Sequence, residues 1–597
     1  MSQTTQQTKH PKGLWVLFGT EMWERFNFYG MRTLLTLFIV NALMMSKEQS
    51  SIIYGGFLGL CYLTPMLGGF ISDRYLGNRN CILIGGGTMA VGQLLLFSSA
   101  SIFPTNLELA KTLLYVALGV IILGNGFFKP NISSMVGSLY PKSEKNKLDT
   151  AFTIFYMGIN TGAFLGQFIC PWVGDVVVDG VRNINAFKWG YLAAATAMLI
   201  GTVTFYLLKD KYVVTPEGRA IGGLPKNNHA EDFEDGEAQK ANFSTKSLVL
   251  AVLSFAVLGY VFYTVFGQNP IYSTIYAAGL SLAGLIISDK SITKVERDRI
   301  LVIYIVSFFV IFFWAAFEQA GSSLTFIADN QTDRNFFGWN IPPSMVQIFN
   351  GIFVVAFAVP FSILWDKLRA KGKEPISPFK QAIGLLLISI SYFIIAHNVK
   401  DLGNTGLLAV KWLILLFLIQ TFGELCLSPI GLSLVGKLAP KRFASLLYGV
   451  FFLSNASGYA LAGTLGSILP PTSEQYIAAE KVNVDLKGIL DGTKDASGEE
   501  LFVLAQSRSA NINSELASQN GLKLTDYIKD TTKKLTPDQF ALIKDKKIIT
   551  AKYPVFAGFT IHNLFEFFMV FVVLTGIASV LLFSLTPVLK KMMHGIV

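Results

Sequence analysis

The sequence is poor in charged residues. Asp, Glu, Lys and Arg make up only 15% of its 597 residues, whereas soluble proteins carry about 25%. Hydrophobic residues make up 52%, and the mean hydropathy is +0.49. This composition excludes a soluble enzyme held by a single membrane anchor. Most basic residues lie in loops between apolar stretches, so the net charge of +10 does not indicate a nucleic-acid partner.

Cysteine is also scarce. The four cysteines lie within or beside apolar stretches, and none has the spacing of a zinc or redox motif, so neither a disulfide nor a metal site is predicted. No nucleotide-binding loop of the G-x-x-x-x-G-K-[ST] type occurs, and neither a catalytic centre nor an organic cofactor is expected. Residues 1–13 lack the apolar core of a cleavable signal, so the first membrane helix is expected to direct insertion.

Long apolar stretches dominate the chain instead. At roughly 20 residues per bilayer crossing, they predict an all-α polytopic membrane protein with about 14 transmembrane helices. The apolar windows are 14–42, 50–71, 81–100, 111–138, 150–171, 188–208, 247–267, 273–288, 299–327, 343–365, 379–397, 406–436, 443–469 and 554–588.

The polar segments between these windows predict six parts. These are a six-helix bundle (1–208), a flexible cytoplasmic linker (209–246), an inserted helix pair (247–288), the first five helices of a second bundle (289–470), an extracytoplasmic insertion (471–553), and the last transmembrane helix with a cytoplasmic tail (554–597). In the insertion, apolar residues such as Leu524 and Ile528 recur at helical spacing. This favours a small folded domain, and a disordered loop is the alternative.

The charges of the short loops predict the topology. When alternate loops are assigned to opposite sides, 27 Lys and Arg fall on one side and seven on the other. Because basic loops stay in the cytoplasm, this bias places both termini there.

Seven charged residues lie inside the predicted spans: Glu21, Glu24, Arg25, Arg32, Lys129, Glu318 and Glu424. At roughly 3 kcal/mol each, they would cost about 20 kcal/mol if they faced lipid. We therefore expect them to face one another and a wet cavity. Glu21, Arg25 and Arg32 follow i, i+4 and i+11 and so form one polar stripe. A structural ion pair is the alternative for any one of them.

Helical spacing predicts three further polar stripes. They consist of Trp314, Glu318, Ser322 and Thr325; of Gln420, Glu424 and Ser428; and of Phe152, Tyr156 and Asn160. Prolines follow Lys129 and Ser428 directly. A proline frees a backbone carbonyl and permits a helix to bend, so both places are expected to move.

Several motifs resemble one family. Residues 21–32 (EMWERFNFYGMR) closely resemble the E-x-x-E-R-F-x-Y-Y-G-x-R helix of the proton-dependent oligopeptide transporters, a branch of the major facilitator superfamily. Further similar motifs follow in the same order at 61–65 (CYLTP), 124–131 (GNGFFKPN), 152–162 (FTIFYMGINTG), 313–319 (FWAAFEQ) and 423–429 (GELCLSP). The resemblance covers about 14–470 and implies two six-helix bundles of major facilitator type. The pair 247–288 resembles the extra pair of bacterial members.

The resemblance implies roles for the charged residues. Arg25, Arg32 and Lys129 would hold a peptide carboxylate, and Glu424 would hold the ammonium group. Further substrate contacts would come from Tyr29, Tyr62, Tyr156, Asn160, Trp314, Asn350 and Ser428. Proton coupling would use Glu21, Glu24, Lys129 and Glu318. We expect Glu21 or Glu24 to pair with Lys129, and Glu318 to pair with Arg25 or Arg32.

The sequence also departs from the family. Gly55 stands where animal relatives place a coupling histidine, and the five histidines lie in loops or near span ends, so coupling is expected to rest on carboxylates. The insertion 471–553 is not a general family feature.

The expected function is proton-coupled import of di- and tripeptides across a bacterial inner membrane, with protons as the coupling ion and no cofactor. One alternative is a proton-coupled carrier of the same fold for another solute, either a drug exported by antiport or a non-peptide anion. The other alternative is a receptor or scaffold whose insertion is the working part.

Overall fold

Helices make up most of the structure, a computed structural model that describes residues 10–140, 148–178, 181–215, 218–224, 243–529 and 534–596. The first helices are α1 (Lys12–Asn41), α2 (Lys47–Ile71), α3 (Gly77–Ile102), α4 (Leu107–Ser138), α5 (Leu148–Gly174), α6 (Phe187–Tyr212), α7 (Thr245–Thr264) and α8 (Pro270–Ile287). They are followed by α9 (Lys294–Phe317), α10 (Ser323–Asn330), α11 (Ile348–Ala370), α12 (Ser377–Val399), α13 (Val410–Leu438), α14 (Ala444–Ser467) and, as the last helix, α21 (Leu564–Met592).

Ten helical stretches among the described residues are long and apolar enough to cross a membrane. The predicted all-α membrane fold is therefore confirmed, while the count of about 14 crossings stays a prediction. Two-residue strands pair only at helix connections: β1 (Val177–Val178) with β2 (Val181–Arg182), β3 (Thr332–Asp333) with β6 (Leu408–Ala409), β4 (Asn335–Phe336) with β5 (Trp339–Asn340), β7 (Asn511–Ile512) with β8 (Ile549–Thr550), and β9 (Val555–Phe556) with β10 (Phe559–Thr560).

Polar residues begin many of the long helices. Ser46 before α2 and Thr293 before α9 each form a capping box with the residue three positions on. Asn106 accepts a hydrogen bond from the backbone N–H of Leu109 at the start of α4. These caps satisfy backbone donors that the first helical turn leaves free.

The first bundle consists of α1–α6. In its core α1 packs on α5 and α6, and α3 packs on α4 and α6. A Cβ atom at Gly162 of α5 would collide with the carbonyl oxygen of Met22. Glycine therefore lets α5 approach the helix that carries the first polar stripe, as small residues do between membrane helices.

The second bundle contains α9–α14 and α21. Its core is formed by apolar side chains from Ile286 to Ile468 and from Ile561 to Met593. The predicted inserted pair is present as α7 and α8, and α8 packs on both α2 and α14. There the Tyr272 hydroxyl donates a hydrogen bond of 2.9 Å to the carbonyl oxygen of Ile52. The pair therefore contacts both bundles.

The insertion 471–553 is folded over the residues that the structure describes. They contain the short helices α15 (Ser473–Lys481), α16 (Leu486–Leu490), α17 (Gly498–Gln506), α18 (Ser514–Gln519), α19 (Leu524–Lys529) and α20 (Pro537–Asp545). Two small clusters form their core, one around Phe502 and Ile543 and the other around Tyr476 and Leu504. We call the end of the bundles that carries this segment the insertion end, and the opposite end the linker end.

Residues 209–215 and 218–224 differ from the predicted flexible linker. Helix α6 continues to Tyr212, and Val214 then pairs with Ala220 in a β-bridge. Arg79 of α3 donates to the carbonyl oxygen of Ile221 at 2.6 Å and pairs with Asp210 at 2.5 Å. An arginine with several carbonyl acceptors holds this segment against the bundle. Residues 225–242 of the predicted linker lie outside the described residues.

Basic residues at the connection between α11 and α12 of the second bundle also form local ion pairs. Arg369 contacts Asp366 at 3.2 Å and Glu374 at 2.6 Å, and Lys380 also contacts Glu374. The hydrogen bond from Arg369 lowers the pKa of Glu374 to about 2. Arg369 and Lys380 therefore stabilise the loop between α11 and α12.

The helical stretch formed by α9 and α10 is interrupted at its predicted polar stripe. Helix α9 ends at Phe317, a 3₁₀ turn spans Glu318–Gly321, and α10 starts at Ser323. The predicted span over 299–327 lies within one apolar stretch long enough to cross a membrane, but its expected helical stripe is interrupted, because Glu318 lies on the break rather than on a regular helical face. Short 3₁₀ segments inside a helix often mark hinges.

Candidate solute-binding and coupling site

The polar stripe of α1 forms an ion-pair cluster within one helix. The Arg25 Nε atom lies 2.9 Å from Glu21 Oε1 and also contacts Glu24 Oε2. All three side chains are almost fully buried. The i, i+4 spacing brings Glu21 to Arg25, as the sequence predicts. Because two acids share one base, the cluster holds more negative than positive groups.

A second ion pair joins the two bundles. Arg32 Nη1 of α1 lies 3.2 Å from Glu318 Oε2 and 3.3 Å from Oε1. The Tyr54 hydroxyl of α2 donates to the same carboxylate at 3.4 Å. Glu318 thus contacts two helices of the opposite bundle, and one of the two predicted partners, Arg32, is present.

Lys129 is placed differently from the prediction. Glu21 and Glu24 contact Arg25, and neither forms an ion pair with Lys129 among the described residues. The Lys129 ammonium instead lies 4.0 Å from the centre of the Tyr62 ring. Such a cation–π contact stabilises the ammonium without neutralising it. Among the described residues, Lys129 therefore has an aromatic contact but no direct ion pair.

Glu424 of α13 has an amide partner rather than a basic one. Asn350 Nδ2 donates to Glu424 Oε2 at 3.1 Å and to Thr421 Oγ1 at 3.0 Å. The expected proximity of Asn350 and Glu424 is thus present. Asn160 instead donates its amide to the carbonyl oxygen of Tyr156 in its own helix at 2.9 Å.

Aromatic rings surround these charges. The Arg32 guanidinium lies 5.0 Å from the ring of Tyr29. The rings of Tyr62 and Tyr459 are 4.6 Å apart, and Trp314 lies 5.8 Å from Tyr459. The indole N–H of Trp314 has no hydrogen-bond partner in the described structure. These amphipathic rings form a surface suited to side chains of different shape.

Tyr156 lies on the face of α5 away from α1, because Gly158 and Gly162 occupy the face that packs on α1. It is 53% exposed. The side chain of Ser428 lies outside the described residues, so its role stays a prediction.

Two tyrosines of the site were missed from the sequence. Tyr54 contacts Glu318, and Tyr459 contacts Tyr62. The sequence contained a signal for Tyr54, because Tyr62 follows it eight positions later and therefore lies on the same helical face. A tyrosine within an apolar span needs a partner for its hydroxyl group, which points to a polar neighbour.

The helix packing explains the missing histidine. A Cβ atom at Gly55 would lie 2.7 Å from the Gly463 Cα atom and 2.7 Å from the Tyr272 hydroxyl. A side chain at this position would push α2 away from α14. No group of three or more His, Cys, Asp or Glu suited to a metal ion occurs in the described ranges.

Polar contacts close the space between the bundles at the insertion end. Arg182 binds Asp329 through two hydrogen bonds of 2.7 and 3.0 Å and also contacts Asp175 at 2.8 Å. Asp175 accepts a hydrogen bond from the Ser344 hydroxyl at 2.7 Å. Arg182 and Asp175 belong to the first bundle, and Asp329 and Ser344 to the second. These contacts join the two bundles at the insertion end.

Two helical bundles with buried charges between them define a membrane carrier of major facilitator type. The POT family model matches residues 79–223 and 269–482, so the chain belongs to the POT family.

Similar sequences and structures agree with this assignment. The chain is 32% identical to a di-/tripeptide transporter of Lactococcus lactis subsp. cremoris, over 79% of this chain and 92% of the relative. It is also 32% identical to the peptide transporter YePEPT of Yersinia enterocolitica, over 76% and 88%. A crystal structure of a POT family transporter with a thioalcohol-conjugated peptide matches with a TM-score of 0.67 and 25% identity, over 97% of each chain.

Proposed function

We propose that the protein is a proton-coupled symporter that imports di- and tripeptides by alternating access. One observation carries this proposal. Among the described residues, Arg25 and Arg32 are ion-paired, whereas Lys129 and Glu424 are the two central charges without an ionic partner. The site therefore offers one cation and one anion to a solute.

A small peptide matches this pair of charges. Every di- or tripeptide has a carboxylate and an ammonium group, whatever its side chains are. We infer that Lys129 binds the carboxylate and Glu424 binds the ammonium group, with charge-assisted hydrogen bonds at both ends. The aromatic surface of Tyr62, Tyr459 and Trp314 then accepts the variable side chains.

The proton acts at the ion pair between the bundles. Protonation of Glu318 removes its charge and ends the ion pair with Arg32. Arg32 is then available for the peptide carboxylate, so proton binding favours peptide binding. Protons are the coupling ion in this proposal, and no cofactor takes part. Glu21 and Glu24 are the second candidate proton site.

Uptake into liposomes tests this function. A proton gradient directed inward and an inside-negative potential should concentrate a labelled dipeptide, with competition by tripeptides and none by free amino acids. Accumulation of a non-peptide solute alone would favour the alternative of a carrier for another substrate. A lack of any proton-driven uptake would refute both.

We also propose that the protein lies in a bacterial inner membrane with both termini in the cytoplasm. The four native cysteines are buried and can be replaced first. Ser518→Cys in the insertion should then react with an impermeant maleimide on intact cells, while Lys373→Cys in the exposed loop between α11 and α12 should not. The reverse labelling pattern contradicts this orientation.

A further inference from the structure

We propose that the insertion 471–553 is a latch that holds the two bundles together at the insertion end and must detach whenever that end opens. The proposal rests on the alternating access of the proposed function. It concerns a segment that neither the peptide site nor the coupling pair uses.

The covalent attachment of the insertion decides which bundle it follows. It starts after α14 and ends before α21, and both helices belong to the second bundle. Further contacts fix it to the same bundle. The Ser473 N–H donates to Gln331 Oε1 at 2.6 Å, and the Ser473 hydroxyl donates to the carbonyl oxygen of Asn330 at 2.9 Å. The insertion therefore moves with the second bundle.

Another set of contacts crosses to the first bundle. Arg508 donates to the side-chain oxygen of Asn41 at 2.8 Å and to its backbone oxygen at 3.1 Å. The Lys47 ammonium donates to Thr472 Oγ1 at 3.1 Å and to Gln475 Oε1 at 3.3 Å. Asn41 ends α1, and Lys47 starts α2. Each of these four bonds must break when the bundles separate at this end.

The crossing contacts form one connected group. Gln475, which accepts from Lys47, also donates to the carbonyl oxygen of Arg508 at 3.0 Å. Arg508 has a φ of +59°, in the left-handed region that glycine adopts at lower cost. A cavity of about 1190 Å³ lies beside these residues, between the insertion and the helix ends. The insertion thus covers the insertion end of the bundles, through which a solute would pass when that end is open.

A distance measurement tests the latch without any substrate. On a cysteine-free background, spin labels at Thr105→Cys and Thr405→Cys mark exposed loops of the two bundles at the insertion end. The double variant Arg508→Gly with Lys47→Met removes the crossing bonds, and glycine suits the turn at position 508. The ratio of open to closed protein should rise at least about fivefold, which corresponds to ~1 kcal/mol.

Lys546→Ala is the matched control, because it removes an exposed lysine of the insertion that takes no part in the four crossing bonds. It should leave the distances unchanged. Identical distance distributions in the double variant and the unaltered protein would overturn the latch.

Cross-linking gives a second test. Asn41→Cys with Arg508→Cys, joined by a short cleavable bifunctional reagent, should stop uptake until the link is reduced. The control pair, Asn330→Cys with Glu474→Cys, joins residues that are already in contact within the second half, and its cross-linking should leave uptake intact. Continued uptake by the linked 41–508 protein would also overturn the proposal. If no peptide is transported at all, the proposed function fails, while the distance measurement still decides the latch.

Discussion

The two halves of the molecule contribute different charges to the centre, and the acids of the first bundle are already paired with Arg25. All three central cations, Arg25, Arg32 and Lys129, belong to the first bundle. The second bundle contributes only acids, Glu318 and Glu424, together with the amide of Asn350. A zwitterionic solute held by Lys129 and Glu424 would therefore link the two halves.

The two arginines of α1 differ in where their ionic partners lie. Arg25 is neutralised within its own helix by Glu21 and Glu24, so relative movement of the bundles leaves that cluster unchanged. Arg32 is neutralised only across the interface by Glu318. Breaking a buried pair leaves a costly uncompensated charge. Under the proposed function, the interface pair is therefore the one that a proton or a peptide carboxylate would regulate.

The largest effect is expected from removal of the interface pair. At about 150 mV of total driving force, one proton per zwitterion supports roughly 300-fold accumulation. Glu318→Gln should abolish this accumulation, because glutamine carries no charge that a proton could remove and the proton gradient then has no ion pair to act on. Peptide exchange across the liposome membrane should continue. Glu296→Gln is the control, since Glu296 pairs with Arg442 inside the second bundle at 2.7 Å. Concentrative uptake by the Glu318 variant would move the proton site elsewhere.

The two solute-binding charges should be separable with blocked peptides. In the unaltered protein, a C-terminally amidated dipeptide should compete at least about tenfold worse than the free one, the equivalent of ~1.5 kcal/mol. Lys129→Gln should reduce this difference, because the carboxylate then has lost its free cation. Glu424→Gln should instead reduce the penalty for N-acetylated peptides. The opposite assignment of the two variants would reverse the predicted peptide orientation.

A smaller effect is expected within the first half. Glu24→Gln leaves Arg25 with Glu21 as a charged partner at 2.9 Å. The accumulation ratio should therefore fall only about two- to fivefold, equivalent to ~0.5–1 kcal/mol. Liposome uptake at a fixed proton gradient measures this ratio. A complete loss of coupling, equal to that of the Glu318 variant, would show that the cluster within α1 is itself the proton site.

The smallest effect is expected at the amide partner of Glu424. Asn350→Ala removes one hydrogen bond from the carboxylate but leaves its charge. Loss of ~1 kcal/mol of positioning should raise the half-saturating peptide concentration about fivefold. The maximal rate should change little. Thr421→Ala, which removes only the other acceptor of Asn350, is the comparison variant, and a larger effect there would contradict this role for Asn350.

Local patterns in the sequence predicted much of the site. The spacing of Glu21 and Arg25 places them on one helical face, and the structure has them in contact. The same kind of argument failed at Glu318, where a 3₁₀ turn interrupts the expected helix. Periodicity assumes an unbroken helix, whereas Glu318 lies on a break and contacts Tyr54 of the other bundle. The prediction of a flexible linker failed for a similar reason, because Arg79 binds Asp210, which lies 131 positions away in the sequence.

The sequence by itself determined the membrane class and the set of charges that had to avoid lipid, since these follow from composition and from the fixed geometry of a helix. The two-bundle fold was implied by the resemblance of its motifs to a known family. Only the tertiary structure decided how the charges pair. Arg32 and Glu318 are 286 positions apart and meet through helix packing, while Lys129 rests on Tyr62 instead of a glutamate. Several acids lie within the same spans, and local spacing cannot select among partners that only the packing of distant helices brings together.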